Sequence, residues 1–147
     1  MKIYVLDTCA LLNFLRNNLG RESFTKIIAI IEDYDSVFAC NEEILREYAR
    51  NLEKDKFPDR NISSILINII KHKISEWVGC VEHSFEFSDD GTIKKDDMPL
   101  FNTAKEAAIK NKCNIATILT TDCRLPSKAK DTHVVIYVEK LDCHPHG

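Results

Sequence analysis

The chain is poor in the residues that make linkers and disorder. It has only 4 Gly and 4 Pro among 147 residues, which leaves little room for long flexible connections. No apolar run approaches the roughly 20 residues that span a bilayer. Asp7 stands where a signal segment needs its apolar centre, so a cytoplasmic chain with no membrane contact is expected. None of the 6 cysteines belongs to a CxxC pair, which argues against zinc-ribbon and thioredoxin-like motifs. In such a chain, buried free thiols are expected rather than disulfides. Cys143, His144 and His146 have metal-ligand chemistry but read as a frayed tail. Positive charge is also lacking: the net charge is −3 and the pI about 5.9. That argues against a module that coats nucleic acid by electrostatics alone. It does not argue against acids neutralised by a bound cation.

What is present belongs to a globular protein, with 44% hydrophobic and 29% charged residues. Residues 1–147 read as one domain. Residues 2–6 form an apolar, β-rich run that stops at Asp7. Thr8 is a suitable cap for the helix after it, which Gly20 ends. A second helix is predicted over 22–34 and a second buried strand over 36–40. Asn41 then caps a helix with Ile44, Leu45, Tyr48, Ala49 and Leu52 turned inward. After a turn at Phe57 to Arg60, apolar spacing predicts a long helix over 62–77 and weak strand character over 80–87. A helix from Asp97 or Met98 to about Lys112 precedes strands at 115–119 and 134–138. Apolar strands alternating with helices imply an α/β fold with a parallel sheet covered on both faces.

In such sheets function sits at the carboxyl ends of the strands. Two predicted strands end in aspartate, at Asp7 and at Asp122, and Glu47 and Asp97 can reach the same edge from helices. Unneutralised carboxylates raise one another's pKa, and hard divalent cations remove that cost. The set therefore predicts Mg²⁺ or Mn²⁺ and metal-assisted phosphodiester cleavage. Taken singly, each acid has a plainer role. Asp7 and Asp122 suit caps or turns, Glu47 with Glu43 suits a solvated helix face, and Asp97 or Asp96 suits a helix start. No GxSxG, P-loop or GxGxxG offers a competing chemistry.

These residues resemble the PIN-domain nucleases, in four segments from Lys2 to about Leu125. Asp7 and Thr8 are similar to the Asp-Thr/Ser-Asn that ends the family's first strand. Asn41 to Tyr48 resembles the second segment, whose acid falls six positions after the strand end, at Glu47. Asp97 with Ala104 is similar to a third segment in which Asp opens a helix. Thr120, Thr121 and Asp122 resemble the final Thr-x-Asp. The resemblance implies a three-layer α/β/α fold with strand order 3-2-1-4-5 and metal-dependent cleavage of RNA by Asp7, Glu47, Asp97 and Asp122. It also implies that Thr8 and Thr120 orient the ligands. Many PIN proteins of this length are toxins of VapBC-type toxin–antitoxin pairs, dimeric and inhibited by an antitoxin. Two positions depart from the pattern: Cys9 stands in place of Asn, and Arg124 in place of an acidic or amide residue. Arg124 is expected either to pair with a ligand carboxylate or to hold substrate phosphate. Lys94 and Lys95, in the insertion-like stretch 85–95, suit a substrate-facing loop or a plain solvated one.

Two rivals remain. One is a PIN fold that binds without cutting. The other is an aspartate-based phosphatase or receiver, but the phosphatase needs an acid at position 9, which is Cys. The Ile/Leu-rich helices at 22–34 and 62–77 are candidate dimer faces and equally suited to the core.

Overall fold

The computed structural model describes residues 1–16, 19–54, 57 and 59–143. The N-terminal apolar run forms β1 (Lys2–Leu6), with Ile3, Val5 and Leu6 buried. Helices α1 (Thr8–Leu15) and α2 (Glu22–Glu32) lead to β2 (Ser36–Cys40); α3 (Glu42–Lys54) and α4 (Arg60–Lys73) lead to β3 (Ile74–Trp77). Then follow β4 (Glu86–Phe87), a single 3-10 turn (Lys95–Asp97) and α5 (Met98–Lys110). The chain closes with β5 (Ile115–Thr120), β6 (Lys128–Lys130) and β7 (Val135–Lys140).

Among the described residues the strands form one sheet, ordered β3-β2-β1-β5-β7-β6-β4. The first five are parallel, and numbered by their order in the chain they run 3-2-1-4-5. The expected short parallel sheet is extended, because β6 and β4 add on antiparallel and make it mixed. The chain leaves β1 towards β2 and later returns to lay β5 on its other side. With right-handed crossovers, α1, α2 and α4 then cover one face and α5 the other. Ala104, Ala107 and Ala108 are fully buried and let α5 sit close on the sheet. No helix among the described residues is long and apolar enough to cross a membrane.

Several local expectations are corrected. Asp7, not Thr8, caps α1, and its carboxylate accepts the Thr8 N–H at 2.8 Å. The helix expected over 62–77 is divided: α4 ends at Lys73, and Ile74–Trp77 pairs with β2 as an edge strand. Of the strand expected over 80–87, only Glu86–Phe87 pairs. Leu45 and Ala49 are exposed rather than inward, and of the apolar residues in the expected 62–77 helix Ile62, Ile65 and Trp77 are exposed as well. Pro58 of the expected turn lies outside the described residues, while Asp59 caps α4 at 2.9 and 3.1 Å. Cysteine usage is corrected too. Cys123 and Cys143 form a disulfide, Cys80 is exposed, Cys9 and Cys113 are half-buried, and only Cys40 is a buried thiol. Cys143 is thus tied down, and of the expected tail His144 and His146 lie outside the described residues.

The C-terminal segment also supplies a missing cap. Arg21 makes no capping bond to α2. Instead Asp142 accepts the Glu22 N–H at 2.7 Å and the Ser23 hydroxyl at 2.6 Å. Asp142 has φ 58, a left-handed backbone that Asp and Asn tolerate better than Ala. Asp142→Ala is therefore expected to cost about 1–2 kcal/mol in urea unfolding, and Asp142→Asn less.

An ion pair joins Lys105 on α5 to Asp131 before β7. Burial alone would push the Asp131 carboxyl up. Lys105 and the N–H groups of Val134 and His133 outweigh it and bring it down to about 2. An unfolded carboxyl titrates near 3.9, so the stabilisation is complete above about pH 4 and is lost as pH falls through about 2. Asp131→Asn is expected to be less stable than the parent at neutral pH. The two should converge near pH 2 when acid unfolding is followed by circular dichroism.

Candidate functional site

The parallel strand order reverses between β1 and β5, which opens a crevice at their carboxyl ends. Asp7 follows β1 directly and Asp122 follows β5 by two residues. The Asp7 N–H donates to the Leu119 carbonyl at 2.9 Å, tying the two strand ends together. Glu47 on α3 and Asp97 at the start of α5 line the same cleft, as do Thr8, Cys9, Asn51 and Arg124. All four predicted acids therefore share one cleft. Glu43 and Asp96, the alternatives to Glu47 and Asp97, line a neighbouring groove beside α3 instead.

Asp7 is the most enclosed of the four, at 9% exposure. Its second carboxylate oxygen accepts the Thr120 hydroxyl at 2.7 Å and the Cys9 thiol at 3.4 Å. Thr120, fully buried, also accepts the Asp122 N–H at 3.0 Å. One hydroxyl thus fixes both strand-end aspartates. The Thr8 hydroxyl is buried and faces the Glu47 carboxylate. Asp97 occupies the cap position of α5 but makes no capping bond with its side chain, so its carboxylate is not used up by the helix. Cys9, where the family resemblance puts Asn, takes up the polar role through a softer group: its sulfur accepts the Thr121 N–H at 3.3 Å.

The electrostatics set Asp122 apart from the others. Burial pushes the Asp7 carboxyl up against its three hydrogen-bond donors, with Asp122 adding to the rise. Burial and then the Asp7 charge raise Glu47, against the pull of the neighbouring Thr8 hydroxyl and Arg50. Burial, Asp7 and Asp122 raise Asp97. For Asp122 burial acts upward too, but Arg124 outweighs it and the carboxyl is lowered. Arg124 Nε donates to Asp122 Oδ1 at 3.1 Å, the pairing expected as one of its two roles. Lys94 lowers both Asp97 and Asp122, whereas Lys95 faces the groove beside α3.

The donor chemistry fits a hard divalent cation: four carboxylates line one cleft, and three of them are raised by burial and then by one another's charge. Convergence is incomplete. Among the described residues no three His, Cys, Asp or Glu side chains stand close enough to hold one metal ion. In this arrangement Asp122 is turned onto Arg124, and both Asp7 oxygens accept hydrogen bonds.

The stretch 85–95 is not a free solvated loop. Phe85 and Phe87 pack on the buried Phe101 at 6.1 and 5.3 Å. Asp90 accepts the Ser127 N–H at 2.9 Å and the Thr92 N–H donates to the Arg124 carbonyl at 3.0 Å. Gly91 is pressed so closely on this loop that a Cβ would lie 2.4 Å from the Arg124 oxygen and 2.5 Å from the Leu125 carbonyl carbon. Gly91→Ala must displace backbone, at an expected cost of about 1–3 kcal/mol. Thermal unfolding should show the loss.

Sequence reasoning missed Asn51 in this region and read Tyr48 only as an inward residue of its helix. Asn51 follows Glu47 by one helical turn, a spacing that marks the same face, and its amide donates to the Glu47 carbonyl at 2.8 Å. The buried Tyr48 hydroxyl donates to the Leu6 carbonyl, holding α3 against the end of β1.

The fold and cleft define the class: an α/β domain with an acidic crevice where the parallel strand order reverses. No family model matches the chain, and no curated protein does. Among solved structures it is similar to VapBC2 from Rickettsia felis bound to a DNA fragment from their promoter. The likeness covers 95% of this chain and 99% of that one, at TM-score 0.51 and 15% identity. At that identity the likeness is one of fold.

Proposed function

We propose that this chain is a metal-dependent ribonuclease whose cleavage centre is the cleft of Asp7, Glu47, Asp97 and Asp122. The reading rests on one observation: four acids from separate elements share a cleft where strand order reverses, and three of them are pushed towards protonation. Those four carboxylates would hold Mg²⁺ or Mn²⁺. When bound, such a cation supplies Lewis-acid activation of water and of the scissile phosphodiester.

The chain's own residues supply orientation. The Thr8 N–H and the Thr120 hydroxyl hold the Asp7 carboxylate in one rotamer. Thr120 sets the Asp122 backbone through the same oxygen. Arg124 is exposed at the rim and offers a planar donor fork to a phosphate, with Lys94 beside it. With a net charge of −3, RNA binding then depends on these local cations rather than on the field of the whole molecule.

The resemblance in motif and the likeness in fold to VapBC2 support a finer reading. On it the chain is the toxin of a type II toxin–antitoxin pair, a cytoplasmic homodimer bound by an antitoxin protein. The test is incubation of purified protein with structured and unstructured RNA in Mn²⁺, then with excess EDTA. Cleavage that EDTA abolishes supports the reading, and no cleavage with any divalent cation overturns it. The Asp122–Arg124 pair favours a second reading, a PIN fold that binds without cutting. RNA binding without cleavage, unchanged by Arg124→Ala, supports that one.

A further inference from the structure

The disulfide lies on the rim of the acidic cleft. Cys123 sits between Asp122 and Arg124 and lines the cleft with them. Its partner, Cys143, is 20 residues further on, with 5.8 Å between the two Cα atoms. The residues before Cys143 are anchored without help from the bond. Leu141 is buried and its N–H donates to the Thr120 carbonyl at 2.7 Å. Asp142 is held by Glu22 and Ser23. Cys143 therefore stays beside Cys123 when the bond is open, which favours closing it again. The Cys123 side is different. It belongs to the irregular loop between β5 and β6 and is exposed, so a small thiol has access to its sulfur.

We propose that Cys123–Cys143 is a reversible thiol–disulfide exchange site, acting with low-molecular-weight thiols and disulfides of the glutathione type, that controls the cleft. The proposal rests on the nuclease reading above. In opening, a thiolate attacks the exposed Cys123 sulfur, the Cys123–Cys143 bond breaks, and Cys143 leaves as a thiolate that takes up a proton. A second thiol resolves the mixed disulfide. In sum, two small thiols are oxidised to one disulfide and two cysteines are reduced. Closing is the reverse, with the small disulfide as oxidant. In the cytosol, the compartment expected from the sequence, such bonds are transient and redox-sensing.

The consequence falls on Asp122. The closed bond adds a covalent tether at the residue next to it, Arg124 holds its carboxylate, and among the described residues no three acids converge. The buried Leu125, the Thr92 N–H on the Arg124 carbonyl and the Thr120 hydroxyl on the Asp122 N–H stay in place, so opening the bond removes the one covalent tether beside Asp122 and widens the range of its carboxylate towards Asp7 and Asp97. Reduction is the activating direction.

The full chain would be equilibrated in reduced or oxidised glutathione, alongside Cys143→Ser. Alkylation followed by mass measurement counts the open thiols, hydrogen exchange reads residues 121–127, and calorimetry reads Mn²⁺ affinity. In reduced glutathione the expected result is two further alkylated thiols, faster exchange in the loop and about tenfold tighter Mn²⁺ binding, the scale on which partners of metal ligands act. In reduced glutathione Cys143→Ser, with one thiol fewer, should match the reduced parent in loop exchange and Mn²⁺ affinity. If the protein binds Mn²⁺ but loop exchange and affinity are the same in both mixtures, the exchange site is overturned and the nuclease reading stands. If neither form binds Mn²⁺, the nuclease reading falls, and the control of the cleft falls with it.

Discussion

On the proposed nuclease function, Asp7→Asn is expected to leave the fold intact and lower RNA cleavage by more than the roughly 10–100-fold that partners of metal ligands typically cost. Asparagine has the shape of aspartate and keeps one oxygen, so the Thr8 N–H retains its acceptor. The second oxygen becomes an amide, facing the Thr120 hydroxyl and the Cys9 thiol, both of which donate to it in the parent. The negative charge is lost at the most enclosed of the four acids. Burial and then the Asp7 charge raise both Glu47 and Asp97, so in the variant their carboxyls should fall part of the way towards ordinary values. Cleavage rates measured beside circular dichroism and Mn²⁺ titration give the check. A folded Asp7→Asn protein that cuts as fast as the parent removes the cleft from the mechanism.

Thr120→Val should damage both stability and activity, for a reason confined to one hydroxyl. The side chain keeps its shape but loses the atom that donates to Asp7 and accepts from the Asp122 N–H. Thr120 is fully buried, so water does not replace it. Unsatisfied buried groups of this kind cost about 1–3 kcal/mol each. Activity is expected to fall on the order of 10–100-fold, since both strand-end aspartates lose their common support. Thr120→Ser restores the hydroxyl and should recover most of the activity. If serine rescues no better than valine, packing rather than the hydrogen bond explains the loss.

The readable parts of the fold were those where one local rule spoke alone. β1 and β5 are apolar runs that stop at polar residues, and they lie centrally where both faces are covered. β3 was hidden because Ile70, Ile74 and Trp77 continue the helical spacing of α4. Pairing with the edge of β2 turns those last residues into a strand. β6 is Lys-Ala-Lys, with one buried side chain and no apolar pattern to find.

For the site, the sequence by itself determined which acids stand at strand ends and helix starts, because chain position and side-chain chemistry are local properties. It also marked Arg124 as the residue set apart. The tertiary structure alone decided that all four acids share one cleft, that Thr120 supports two of them, and that Asp142 caps α2 from more than a hundred residues away. It also decided that Cys123 meets Cys143, since six cysteines allow many pairings. Each of these is a contact between distant segments, and the free energy that selects it comes from burial and sheet pairing across the whole domain rather than from any local stretch of chain.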